Sequence, residues 1–264
     1  MLDMQLHMFT LIAVLATIPV FGHMEMTSPC PRYSPKCATP SALPPGAVLD
    51  YNLNGPIGGN GNINQPFCKY TKPWPQVSDT WTTGHPVTIS FANNGASHSG
   101  GHTEFSISYD NANTFVVVHQ VLRHMFFTAP PPSGGSDTVR SYTFTLPMGL
   151  PGTSHAIFAW TWVNAIGNRE FYMNCADVAI IGNAGSYTGK AMTVANYGPM
   201  YPTIPEFMGN YNTGIQLYST NISQVTVTGS GYSNSSTSTT ETTSSSTNTP
   251  LYTAVSVPPS SGWF

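Results

Sequence analysis

The chain has 264 residues, of which only 7% are charged, and 8 Lys and Arg against 11 Asp and Glu give a formal net charge of −3. No basic patch is present to neutralise phosphates, which argues against a nucleic-acid partner. An apolar fraction of 40% with 12% aromatics can build a core, and 24 Gly with 23 Pro point to a loop-rich extracellular β-protein.

In chain order, Phe9–Phe21 (FTLIAVLATIPVF) is an apolar run too short to span a bilayer and of the length of a signal-peptide core. Val20 and Gly22 stand at the −3 and −1 positions of a cut before His23. Residues 1–22 are therefore read as a signal peptide, and the protein as secreted. No later run is long and apolar enough to cross a membrane. Secretion permits disulfides. The four cysteines, Cys30, Cys37, Cys68 and Cys175, allow two bridges in three possible pairings.

Pro86–Ala92, Thr103–Tyr109 and Ser141–Leu146 alternate apolar and polar residues, the pattern of half-buried strands. Phe115–Leu122 and His155–Val163 are richer in β-branched and aromatic residues, as in strands buried on both faces. Asp177–Ile181 and Val225–Gly229 add two more. Turn signals at 93–95, 109–113, 130–135 and 148–152 separate these runs. Short strands with frequent turns predict an all-β, antiparallel β-sandwich. Long irregular stretches at 24–80 and 184–215 must wrap it. The domain is placed at 23–229. From Ser233 to Asn248, 13 of 16 residues are Ser or Thr, so 230–264 is read as a disordered tail. Asn221 and Asn234 are N-glycosylation acceptors. Nothing in the sequence calls for an oligomer, so a monomer is expected.

Three places carry chemistry. Cleavage before His23 leaves one residue with two nitrogen donors, an α-amine and an imidazole. The amine's ordinary pKa of about 8 lets a cation displace its proton near neutrality. A third nitrogen from another histidine would complete a set that suits Cu(II). His98 lies in the Gly-rich loop SHSGGH, where a rigid scaffold can present it, and His102 competes for the same role. His119 and His155, within apolar strands, read as core or edge histidines. Finally, WTWVNAIGNREFYMNC places Arg169 beside Glu170, and period two puts Glu170 and Tyr172 on one strand face. A carboxylate beside a phenol can orient a bound oxygen species or pass protons.

The start HMEMTSPCPRYSP, the loop ASHSGGH and the run FAWTWVNAIGNREFYMNC closely resemble the fungal lytic polysaccharide monooxygenases of auxiliary-activity family eleven, a chitin-active, copper-dependent class. The resemblance runs from His23 to about Ile215. It implies an immunoglobulin-like sandwich with copper on a flat face. His23 would give its amine and Nδ1, His98 its Nε2, and Tyr172 the axial position. Ala96 matches the small residue on the other axial side, Glu170 an acidic residue beside the ligands, and Arg169 belongs to the same surroundings. The implied partners are an insoluble polysaccharide, chitin first, a small reductant or redox partner, and hydrogen peroxide or dioxygen. Cys68 and Cys175 match a family pair, which would leave Cys30 and Cys37 to close a small loop. Thr103 and Met125 stand where family members commonly carry a further cysteine pair. Residues 123–132 and 197–215 also depart from the family pattern. Two other readings share the features: a non-catalytic secreted copper-binding protein, and a carbohydrate-binding wall module.

Overall fold

The computed structural model describes residues 23–36, 43–70, 72–92, 95–131, 136–220 and 222–232. The signal segment, Cys37, Asn221, Asn234 and the Ser/Thr-rich run lie outside them. In chain order the strands are β1 (Met26–Ser28), β2 (Gly58–Gly59), β3 (Asn62–Ile63), β4 (Asp79–Thr82), β5 (Pro86–Phe91), β6 (Gly101–Ser108), β7 (Val116–Val121) and β8 (Ser141–Thr145). They continue with β9 (Thr153–Asn164), β10 (Glu170–Ile181), β11 (Ser186–Lys190) and β12 (Gln224–Thr228); one helical turn, α1 (Gln216–Ser219), precedes β12.

Two sheets face each other. The larger runs β3-β2-β10-β9-β6-β7, with β4 pairing β10 in parallel, and the smaller runs β1-β5-β8. Alternation in the long β9–β10 hairpin sends side chains to opposite faces. Phe158, Trp160, Trp162, Tyr172, Ala176 and Val178 point at the small sheet and pack with Ile89, Phe91 and Phe144. Ile157, Ala159, Val163, Phe171 and Met173 pack on the outer face under Ile57, Phe115, Tyr197 and Phe207. The fold is thus an all-β sandwich whose outer face is covered by the long loops.

That cover changes two strand readings. β6, which alternates in sequence, is buried along its whole length, because the 184–220 segment lies over its polar face. There Glu104, fully buried, accepts from Lys190 Nζ at 2.6 Å, Gln120 Nε2 at 2.7 Å and the Thr193 N–H at 2.6 Å. Conversely β7, whose apolar run suggests burial on both faces, sits at the sheet edge and is half-exposed over its second half.

Side chains pin the first loop to β10. Arg32 donates from Nε to Asp177 Oδ2 at 2.6 Å, both residues being buried. Cys68 and Cys175 are joined by a disulfide across 107 residues of sequence. Cys30 is also disulfide-bonded. Asn174 Oδ1 accepts the Met26 N–H at 2.9 Å, while its Nδ2 donates to Leu53 O at 2.7 Å. Asn174→Ala would leave a buried donor and a buried acceptor unpaired, and is expected to cost about 2–3 kcal/mol in guanidinium unfolding.

Candidate metal centre

Three segments converge at one end of the β9–β10 hairpin. The first brings His23, which enters just ahead of β1. It forms a parallel bridge with Ala96, and the Ala92 N–H donates to Glu25 O at 2.9 Å. The second is the loop before β6. His98, Ser99, Gly100 and Gly101 have φ of 45°, 55°, 100° and 137°, four successive left-handed residues. Two of these are not glycine, a conformation costing of order 1–3 kcal/mol each that surrounding contacts must enforce. At Gly101 no side chain could exist, since a Cβ would lie 2.0 Å from Val163 O. The third is the turn from Asn164 to Arg169, which delivers Glu170 and Tyr172 on one face of β10. Asn164 holds this turn by donating from Nδ2 to Ile166 O at 2.7 Å and Asn168 O at 2.8 Å.

The donor atoms of His23, His98 and Glu170 lie within 4.8 Å of one another. The two imidazoles stack with centroids 4.8 Å apart and planes at 20°. Tyr172 tilts against His23 at 5.1 Å and rests on Trp162 at 4.7 Å. Its hydroxyl donates to Glu170 Oε2 at 2.6 Å. Burial above all, then the hydrogen bond to Glu170 and that residue's charge, raise the phenol far above its ordinary pKa. Tyr172 therefore remains a neutral donor at physiological pH. Burial, reinforced by His23, pushes His98 down to about 4, so its ring is neutral and keeps a lone pair. That ring's Nε2 is buried without a hydrogen-bond partner. An orphaned buried nitrogen costs about 1–3 kcal/mol and calls for an explanation. A metal ion supplies one, and the donor set of two imidazoles, a carboxylate and a phenol fits a transition metal.

The other histidines weighed from the sequence, His102, His119 and His155, separate from this cluster. His102 is fully buried, accepts the Arg123 N–H on Nδ1 at 3.0 Å and donates from Nε2 to Thr213 O at 2.9 Å. Both nitrogens are in use, so it is a core residue rather than a competitor of His98. His119 stacks on Phe144 at 4.5 Å, and His155 Nε2 meets Asp177 Oδ1 at 2.6 Å. Arg169 directs its guanidinium to backbone carbonyls, Gly167 O at 2.9 Å and Asn164 O at 3.1 Å, rather than to its neighbour Glu170. Sequence reasoning missed Glu206, whose Oε1 accepts the Gly167 N–H at 2.9 Å. The only signal was its being one of few carboxylates in a charge-poor chain.

A cleft of about 260 Å³ adjoins the cluster, lined by His23, Glu25, Lys36, Asp50, Tyr51 and Asn54 among others. Its acidic residues are matched, Glu25 by Lys36 Nζ at 2.8 Å within the cleft and Asp50 by Lys69 Nζ at 3.2 Å from outside it.

Residues 38–178 match the family model described as lytic polysaccharide mono-oxygenase, cellulose-degrading. The AA11 family lytic polysaccharide monooxygenase A of Aspergillus fumigatus is 34% identical over 198 residues, covering 73% of this chain and 76% of that protein. The AA11 family lytic polysaccharide monooxygenase of Aspergillus oryzae is 30% identical over 215 residues, covering 77% of this chain but only 46% of that longer protein. A solved structure described as a cellulose-active polysaccharide monooxygenase from M. thermophila aligns over 63% of this chain and 79% of its own, at 15% identity and a TM-score of 0.40, too distant to weigh.

Proposed function

The chain belongs to the AA11 family of lytic polysaccharide monooxygenases, and from that premise we propose that it cleaves chitin oxidatively with copper held by His23, His98 and Tyr172. The observation that carries the copper assignment is the buried His98 Nε2, without a hydrogen-bond partner on a neutral ring that lies within 4.8 Å, donor to donor, of His23 and Glu170. In the secreted form the His23 α-amine and Nδ1 join it. Copper, when bound, supplies the one-electron redox chemistry with hydrogen peroxide or dioxygen by which a glycosidic C–H bond is oxidised.

The chain's own residues do the rest. Glu170 holds the Tyr172 proton at Oε2 and keeps the phenol fixed against His23. Ala96 is bridged to His23 through the backbone, which puts its small side chain next to the proposed ligands. Large apolar side chains stand exposed on the segments that frame the cluster: Tyr51 at 80% in the cleft beside His23, Ile166 at 39% in the turn bonded to His98, and Met208 at 83% next to Phe207, which bonds that turn. A frame whose charges are largely paired and whose exposed side chains are partly apolar suits the face of a neutral polysaccharide, which is too large to enter a pocket. Chitin is favoured by the family resemblance of the sequence motifs, and cellulose by the family model's description, so both belong in the test.

That test is mass spectrometry of soluble products from β-chitin, cellulose and xylan, with copper-loaded protein starting at His23, ascorbate as reductant and His98→Ala as control. Oxidised chitin oligosaccharides from the unaltered protein alone are expected. Oxidised products from cellulose only would move the substrate, and copper binding with no product from any polymer would favour the copper-carrier reading. Glu170→Gln leaves the phenol without a charged acceptor and is expected to lower kcat about a hundredfold. Cu(II) still binds this variant, as a calorimetric titration will show.

A further inference from the structure

The turn behind His98 is itself held by a second segment. On the inner side, the Ile166 N–H donates to His98 O at 3.2 Å and the Ala165 N–H to Gly100 O at 2.9 Å. Gly167, at φ +94°, lies so close to the imidazole that a Cβ there would stand 3.3 Å from Nδ1 and 3.5 Å from Cε1. On the outer side, Glu206 Oε1 accepts the Gly167 N–H at 2.9 Å, and Arg169 donates from Nη2 and Nε to Gly167 O at 2.9 and 3.2 Å. The Phe207 N–H reaches Ala165 O at 2.8 Å, and Arg169 Nη1 reaches Pro205 O at 3.3 Å. Both peptide groups of the glycine beside the ring are therefore fixed by charged side chains.

We propose that Glu206 is a positioning residue for the His98 imidazole, acting with Arg169 through the Gly167 backbone; this rests on His98 being a copper donor. Glycine has the widest backbone freedom of any residue, so an unanchored Gly167 would let the turn and the ring resting on it shift. Hydrogen bonds to ionised groups are about twice as strong as neutral ones, and three converge here, one from Glu206 and two from Arg169. His98 Nε2 makes no hydrogen bond to the protein, so beyond the stacking on His23 the ring is positioned from its Nδ1 edge, where Gly167 lies. Glu206 is exposed and packs in no core, so its removal leaves the sandwich intact.

The experiment is Cu(II) titration and electron paramagnetic resonance on protein starting at His23, comparing the unaltered chain with Glu206→Ala, Glu206→Gln and Arg169→Lys. Glu206→Ala is expected to weaken copper about tenfold and change the copper hyperfine splitting, with the melting temperature of the metal-free protein within about 3 °C. Glu206→Gln, which can still accept the Gly167 N–H, recovers most of both. Arg169→Lys, which loses the forked contact, shifts the spectrum as well. An unchanged spectrum and affinity in Glu206→Ala overturns the proposal, whatever happens to stability. If the unaltered chain binds copper no better than His98→Ala, the copper reading itself has failed.

Discussion

A protein carrying one extra residue ahead of His23 is expected to bind Cu(II) no more tightly than His98→Ala, and to release no oxidised oligosaccharide. The extension turns the α-amine, with an ordinary pKa of about 8, into an amide nitrogen that offers no lone pair at neutral pH. His98→Ala removes the third nitrogen directly. Neither change touches the core, because His23 and His98 sit half-buried at the end of the hairpin while Trp162 and Tyr172 beneath them keep their mutual contact at 4.7 Å. The melting temperature of the metal-free protein should therefore move by less than about 3 °C, equivalent to about 1 kcal/mol in a domain of this size. Loss of copper with retained fold is the signature of a ligand. Full activity from the extended protein would sink the histidine pair as the metal site.

Much of this architecture is legible in the sequence, for physical reasons. β5 and β8 alternate strictly because one face is solvated, and β9 is continuously apolar because both faces are covered. The carboxylate–phenol pair follows from period two on β10, and the 2.6 Å hydrogen bond is its consequence. What stays hidden is set by contacts between distant segments. The hairpin of β2 and β3 falls within a stretch that reads as irregular, since two glycines carry no β propensity; pairing with Glu170 and Phe171 makes it a strand. The inaccessibility of His102 depends on Thr213, 111 residues away. Glu206 gains its meaning only when a Pro-bounded loop folds back onto Gly167. Local pattern carries no information on such long-range partners.

Removing the Cys68–Cys175 bridge, as Cys68→Ala with Cys175→Ala, is expected to cost about 4–5 kcal/mol, since closing so long a loop removes the most entropy from the unfolded chain. The separation is 107 residues, and the bridge reinforces Arg32 and Asn174 in tying the first loop to β10. In a domain of this size the loss corresponds to a fall in melting temperature of roughly 10–20 °C. Copper acts on the same equilibrium from another direction: a ligand that binds only the folded state, at a thousand times its Kd, adds about 4 kcal/mol. Calorimetric scans with and without copper therefore measure how far site and staple depend on each other. Because His23, His98 and Glu170 are positioned by the β9–β10 turn and the loop before β6, copper should raise the melting temperature of the double variant as much as that of the unaltered protein. A copper shift that vanished with the bridge would mean that the first loop, through its hairpin on Glu170, helps to build the site, rather than merely covering the sheet behind it.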